Sequence, residues 1–294
     1  MSYVWQRDGR DEPALSRSGG RGVIHQSGES ANVIAQQNTL SSLLEGRRRS
    51  RNLLLDSLPG AEYARLWPHL ESITVKQGDV LNAPEVRLRH VYFPTNTVIA
   101  LLVQMEDGEA VEAGLVGLDG IVNLSVFWGE ESSPYTAVAL QTGYALRMRA
   151  DVFRREVKYT DALQISLMRY TSLSFNCAAQ RAACNSLHSI KQRVTSWLLG
   201  LSDLLGRDKF CATHELISGL LGIRRAGVTE AVNELKHSGA LRSSRGEFEI
   251  IEPQRLEQSA CECYRILKAE VESIRDARTT GLQPQRSTGT NTRG

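Results

Sequence analysis

Large apolar residues are scarce before Asn52 and then return in three successive rhythms. In NLLLDSLPGAEYARLWPHL, Leu54, Leu55 and Leu58, then Leu66 and Leu70, fall at near-helical spacing around a Pro-Gly break, which predicts two short helices. From Glu71 to about Arg149 the rhythm shortens to the runs ITV, HVYF, VIALLVQ, AVEAGLV and TAVALQTGYALRM, punctuated by Gly78–Asp79, Asp107–Gly108 and Asp119–Gly120. Asp-Gly between two β-rich runs predicts a hairpin. Several short strands at this spacing predict an antiparallel barrel or jelly roll.

From Ala150 the pattern becomes helical, with no Pro or Gly for more than thirty residues, so a short helix and then a long one are expected. Along the long one, Ile165, Met168, Ser172, Phe175, Ala179 and Ala182 follow a 3,4,3,4,3 spacing, and Leu163, Leu167, Tyr170, Ser174 and Cys177 form a second stripe beside it. A helix apolar on two stripes covers two surfaces. One is its own β domain; the other is a partner's copy of the same helix or another domain of the same chain. Dimerisation through the first stripe is the expectation carried forward.

A further helix follows in LHSIKQRVTSWLLGLSDLLG, with Ile190, Val194, Trp197, Leu198 and Leu201 on one side. ATHELISGLLG then offers Thr213 as an N-cap and Leu216, Ile217, Leu220 and Leu221 as an apolar face. Gly222 stands where a tight inter-helix turn needs positive φ, and Ile223 plugs the angle. The next helix buries Val228, Ala231, Val232 and Leu235 and leaves Arg224, Arg225, Ala226, Thr229, Glu230 and Asn233 outside. ALRSSRGEFEII reads as two short strands around Arg245–Gly246, a wing, and one more helix is expected after it, in a stretch ending LEQSACECYRILKAEVESI.

Two helices joined by a short glycine turn form a helix-turn-helix, whose second helix fits the major groove of double-stranded DNA. An arginine at that helix's first turn can bond guanine O6 and N7 together, while the small Ala226 and Gly227 permit close approach. Thr213 and His214 start the first helix, where side chains and amides meet phosphate. Arg242, Ser243 and Arg245 on the wing would grip the backbone. Against this stands the plain alternative that any two-helix corner carries surface arginines.

Composition narrows the field. The formal charge of +2 on 35 basic and 33 acidic residues predicts no polyanion partner for the whole surface, so a nucleic-acid site must be a local patch. Residues 1 to about 50 are rich in Gly, Ser, Arg, Gln and Asn and are expected to be disordered, as is the polar tail from about Asp276. The basic run Arg47–Arg49 with Arg51 reads as a solvated linker in preference to a phosphate contact. No apolar stretch approaches the 20 or so residues that span a bilayer, and no secretory signal is evident. An odd number of cysteines, five from Cys177 to Cys263, suits a reducing cytoplasm.

With THELISGLLGIRRAGVTEAVNELKHSGALRSSRGEFEIIE and CECY in place, the chain resembles the Crp/Fnr-like family of bacterial transcription regulators over about residues 52–275, most strongly over 186–264. The resemblance implies an α+β architecture: an N-terminal antiparallel β roll of the cyclic-nucleotide-binding type, a long dimerisation helix, and a C-terminal winged helix-turn-helix. The segments would be 1–51, an extension; 52–150, the β roll; 151–186, the dimerisation region; 187–264, the winged domain; and 265–294, a helix end and tail. Arg225 matches the family's first base-reading arginine and Ala226 its usual glutamate, while Glu230 falls where many members carry a second arginine. RNA polymerase is an implied partner.

The β roll departs from the members that bind cyclic AMP. Those show Gly-Glu for the ribose and Arg-Ser or Arg-Thr for the phosphate, where this chain has Asn123–Leu124 and Pro134–Tyr135–Thr136. No arginine there balances a phosphate, so cyclic AMP is not expected and the effector is left unassigned. The N-terminal cysteine cluster of iron–sulfur members is absent, since no cysteine precedes Cys177. Cys261 and Cys263, with Cys211 or Cys184, have zinc-binding or oxidant-sensing chemistry. Residues two apart on a helix point to different faces, however, so packing is the reading taken and no metal or other cofactor is expected. The six histidines show no metal spacing, and nothing supports haem. Trp67, Trp128 and Trp197 read as core or interface.

An enzyme on the β domain would need clustered His and Glu ligands, and only His90 lies there; no phosphate loop or nucleophile elbow appears. The expectation is therefore a non-enzymatic, cytoplasmic homodimer reading a two-fold-related DNA site through helix 224–238. The alternative is a ligand- or protein-binding adaptor of the same fold, since net charge over 187–251 is only slightly positive.

Overall fold

The computed structural model describes residues 50–279. The disorder expected of residues 1–49 and of the tail beyond 279, and the basic run Arg47–Arg49, lie outside the described residues. Asn52 opens the fold. Its side-chain Oδ1 accepts from the Leu55 amide of α1 (Leu53–Asp56), and its Nδ2 donates to the Pro94 and Gly120 carbonyls at 2.9 and 3.0 Å. Helix α2 (Gly60–Leu66) and a 3-10 turn follow, and the chain enters the strands.

Seven strands build the β roll: β1 (Glu71–Val75), β2 (Val80–Asn82), β3 (His90–Pro94), β4 (Ile99–Gln104), β5 (Ala110–Val116), β6 (Thr136–Ala139) and β7 (Gly143–Arg149). They pair antiparallel in two sheets of order β1-β7-β3 and β2-β6-β4-β5. The Asp107–Gly108 turn closes the β4–β5 hairpin, where the Asp107 carboxylate accepts from the Glu109 amide at 3.0 Å. TAVALQTGYALRM, read as one run, divides into β6 and β7.

The four-stranded sheet explains its own sequence. Ile99, Ala137 and Ala139 face the interior of the roll with Val75, Val116 and Val122. Their neighbours Val98, Ala100, Leu102, Val138 and Leu140 face the other way and join Val194, Trp197, Leu198, Leu220 and Phe248 in one continuous core. A sheet covered on both faces reads as unbroken apolar runs instead of alternation, which is the texture of VIALLVQ and TAVAL. A third core packs Phe93, Leu146 and Met148 against Leu54, Phe153, Leu163 and Leu167.

The helices are α3 (Ala150–Val157), α4 (Asp161–Leu187) and α5 (Ile190–Leu205). A capping box between Ser189 and Gln192 starts α5, and Gly206 in the left-handed region ends it. The last unit comprises β8 (Lys209–Cys211), α6 (His214–Leu221), α7 (Arg225–His237), β9 (Leu241–Ser244), β10 (Glu247–Ile250), α8 (Pro253–Gln258) and α9 (Glu262–Thr279), with sheet order β8-β10-β9. The single helix expected after the wing is two, separated at Ser259–Cys261. The second returns along α4, where Glu270 accepts from the Asn176 side chain at 3.1 Å. No helix among the described residues is long and apolar enough to cross a membrane.

Candidate nucleic-acid interface

The Thr213 side chain caps α6 by accepting from the Leu216 amide at 3.0 Å. Gly222, at φ 60°, ends that helix and turns the chain by about one residue's left-handed kink. Val228, Ala231, Val232 and Leu235 of α7 are buried against α5 and α6, as the pattern predicts. Arg225, Ala226, Thr229, Glu230 and Asn233 share one side of α7 with Glu234 and His237, lining a shallow open groove, and Arg224 is exposed at the helix's N-cap.

Gly227 does not belong to that strip. A Cβ there would come within 2.9 Å of the Ile190 side chain, so Gly227 is the point at which α7 closes on the start of α5. Its nearest neighbour is thus on another helix and not on the open strip.

Arg225 lies 3.6 Å from the Glu215 carboxylate, the arginine largely and the glutamate partly open to water. His214 Nδ1 meets the Thr229 hydroxyl at 2.9 Å, joining the first turn of α6 to the exposed side of α7. Burial, then the charges of Arg225 and Lys236, hold the His214 imidazole below its usual range. The Thr213 hydroxyl has one lone pair committed to the cap and keeps its proton to offer.

The wing is a two-residue hairpin. Arg245 at φ 48° and Gly246 at φ 82° are both left-handed, as a type I′ turn requires, and Ser244 pairs with Glu247. Arg245 is exposed at the tip; Arg242 is bonded across the strands to Glu249 at 2.7 Å, and Ser243 stands half-buried opposite Phe248.

On α4 the two stripes part company. Leu163, Leu167 and Tyr170 are buried against the β roll, Cys177 is half-buried, and Ser174 is exposed. In the other stripe Ile165 is half-buried, while Met168, Ser172, Phe175, Ala179 and Ala182 are exposed, Phe175 by 73%.

A cavity of about 640 Å³ lies between the β roll, α4 and the winged unit. Asn123, held left-handed with its side chain on the His90 carbonyl, and Tyr135 both line it. Its arginines, Arg181 and Arg193, come from α4 and α5 and none from the roll itself. At its edge the buried Glu112 of β5 accepts from Trp197 Nε1 at 2.7 Å and pairs with Arg181. Sheet, long helix and α5 thus meet on one carboxylate. Sequence reasoning missed it, although a glutamate inside the apolar run AVEAGLV was a signal.

Two other expectations change. Trp128 is 56% exposed and leans edge-on against Phe127, so of its core-or-interface reading only the interface half fits. Cys261 and Cys263 do not diverge: α9 begins at Glu262, so Cys261 precedes the helix, and both thiols turn to Cys184 and His188 at the end of α4. Cys211 is exposed on β8, away from them.

Residues 192–259 match the family model of the Crp-like helix-turn-helix domain. Among solved structures, the fold is shared with a protein from Eubacterium rectale described as a transcriptional regulator of the Crp/Fnr family, at 19% identity and TM-score 0.55 over 72% of this chain and 97% of that one. It is shared too with FixK2 from Bradyrhizobium japonicum, at 14% identity and TM-score 0.57 over 65% and 98%. The Crp/Fnr-family regulator TTHA1359 from Thermus thermophilus matches at 22% and TM-score 0.51 over 65% and 98%. No curated protein matches the sequence significantly. The C-terminal unit is therefore a Crp-like helix-turn-helix domain, and the chain carries the Crp/Fnr regulator fold.

Proposed function

We propose that the protein is a dimeric, sequence-specific DNA-binding transcription regulator. The observation that supports this most is the exposed strip of α7, with Arg225, Ala226, Thr229 and Asn233 on one open side and Val228, Ala231, Val232 and Leu235 locked beneath. A rigid helix that offers a short-range set of donors and small residues suits the edges of bases in a major groove. The start of α6, joined to the strip through His214 and Thr229, and the wing turn beside it, where the Ala212 amide donates to the Gly246 carbonyl, would meet phosphates.

The dimer reading rests on the exposed Met168, Phe175, Ala179 and Ala182 of α4, an apolar stripe on a 27-residue helix whose opposite stripe is already covered. Two copies joined there would present two recognition helices for half-sites about 34 Å apart. The β roll would sense a ligand in the cavity beside Glu112; that no β-roll arginine lines it argues against a cyclic phosphate. RNA polymerase and a cytoplasmic setting belong to the same proposal.

Fluorescence anisotropy with mixed-sequence duplex at a series of salt concentrations tests DNA binding. The expected result is saturable binding by two chains per duplex, with affinity falling steeply as salt rises. Absence of binding at low salt would favour the adaptor reading.

A further inference from the structure

The geometry points to a structural zinc site formed by Cys184, His188, Cys261 and Cys263, independent of the DNA-binding proposal. One ligand atom from each of the four lies within 4.8 Å of all the others. Zinc holds sulfur at about 2.3 Å and nitrogen at about 2.0 Å, so a tetrahedral set has S···S edges of about 3.8 Å and S···N edges of about 3.5 Å. Cys184 Sγ and Cys261 Sγ stand 3.6 Å apart, and Cys263 Sγ and His188 Nδ1 stand 3.5 Å apart. Two edges of the tetrahedron are already drawn.

The surroundings fit the same chemistry. His188 turns Nδ1 to the sulfurs and Nε2 to the Glu262 carboxylate at 3.3 Å, the carboxylate–histidine arrangement that fixes a ligating imidazole. Gln180 Nε2 donates to Cys263 Sγ at 3.1 Å, and Ser196 Oγ lies 3.2 Å from Cys261 Sγ, as donors to thiolates do. All three cysteines are buried, with 8% exposure at most. A polynuclear iron–sulfur cluster spreads its thiolates over several irons and needs them farther apart, so one ion is the fit.

The position gives the site a purpose. Cys184 lies in the last turn of α4 with His188 just beyond it, and Cys261 and Cys263 bracket the first residue of α9, on either side of the matched helix-turn-helix domain at 192–259. An ion there ties the entry and exit of the winged unit to the long helix, and so fixes the angle at which α7 is presented.

The test uses the full chain purified without chelators from zinc-supplemented culture. Elemental analysis should give about one zinc per chain, and cobalt exchanged for it should show thiolate charge-transfer and intense d–d bands of a tetrahedral centre. Cys263→Ser should lose the ion and the bands, while Cys211→Ser should keep both. Should Cys263→Ser fail to fold, the wild-type cobalt spectrum decides alone. Folded wild type that takes up neither ion, iron in place of zinc, or a mass two hydrogens short from a Cys184–Cys261 disulfide would each overturn the assignment.

Discussion

Arg225 is held in the free protein by one long, water-exposed ion pair to Glu215, an interaction worth little and easily exchanged for a base edge. Arg225→Ala is therefore expected to lose about 1–3 kcal/mol on the preferred site and to relax one base position. Its Tm should barely move, because the side chain is 69% exposed and its ion pair is weak. Arg245→Ala should weaken all sequences alike and reduce the salt slope by about one. Anisotropy on preferred and scrambled duplexes separates the two variants; equal losses on both duplexes for both would refute the division of roles. These exposed side chains were legible in the sequence because helical period alone decides which residues of α7 face out. Gly227 was not, since its neighbour Ile190 lies on another helix and no local pattern reveals the contact.

His214 carries a pH prediction of the same scale. Its pKa is lower folded than unfolded, so between the two values the unfolded chain binds more protons and stability rises with pH. The contribution is complete above the ordinary histidine range, near 6.5, and is lost as pH falls through the depressed value. Denaturant unfolding at a series of pH values should show His214→Gln flattening that rise; an unchanged slope would remove His214 as its source.

At the scale of elements, α4 displays two apolar stripes and the fold covers one. Phe175, nearly three-quarters exposed at the middle of the other, is the most direct handle. Phe175→Glu is expected to convert a dimer to a monomer in sedimentation, since two carboxylates would be buried face to face without partners. The monomer's Tm at matched concentration tells interface loss from misfolding. Helix period predicted both stripes; giving the first to a partner and the second to the β roll went beyond period, because it depends on where the roll lies. The cysteine cluster was hidden for a related reason. Its legibility turned on whether α9 starts at Cys261 or one residue later, and helix boundaries are the least determined feature of a sequence. A shift of one residue changes the two thiols from divergent to convergent.

At the scale of the whole molecule, the β roll and winged unit share a core across the four-stranded sheet. The strands themselves were readable from their turns, but their continuous apolar texture fitted either a buried sheet or a buried helix segment, and what covers the second face is tertiary information. Glu112 is the polar pin in that interface, bonded to Arg181 of α4 and Trp197 of α5. Glu112→Ala should cost about 3 kcal/mol by leaving a largely buried guanidinium unpaired, and the change should appear in Trp197 fluorescence as well as in urea unfolding. A loss within about 0.5 kcal/mol, the range of surface substitutions, would mean that the pin carries no strain between the units.

The central claim is that two copies of α7 read DNA as a pair. Selection of random duplexes by the purified full-length protein at near-physiological salt, followed by sequencing, tests it most directly. The expected result is an enriched motif with two-fold symmetry and half-sites about one helical turn apart, lost when Arg225 is replaced by alanine. An enriched motif without symmetry, or one that survives Arg225→Ala unchanged, would contradict it.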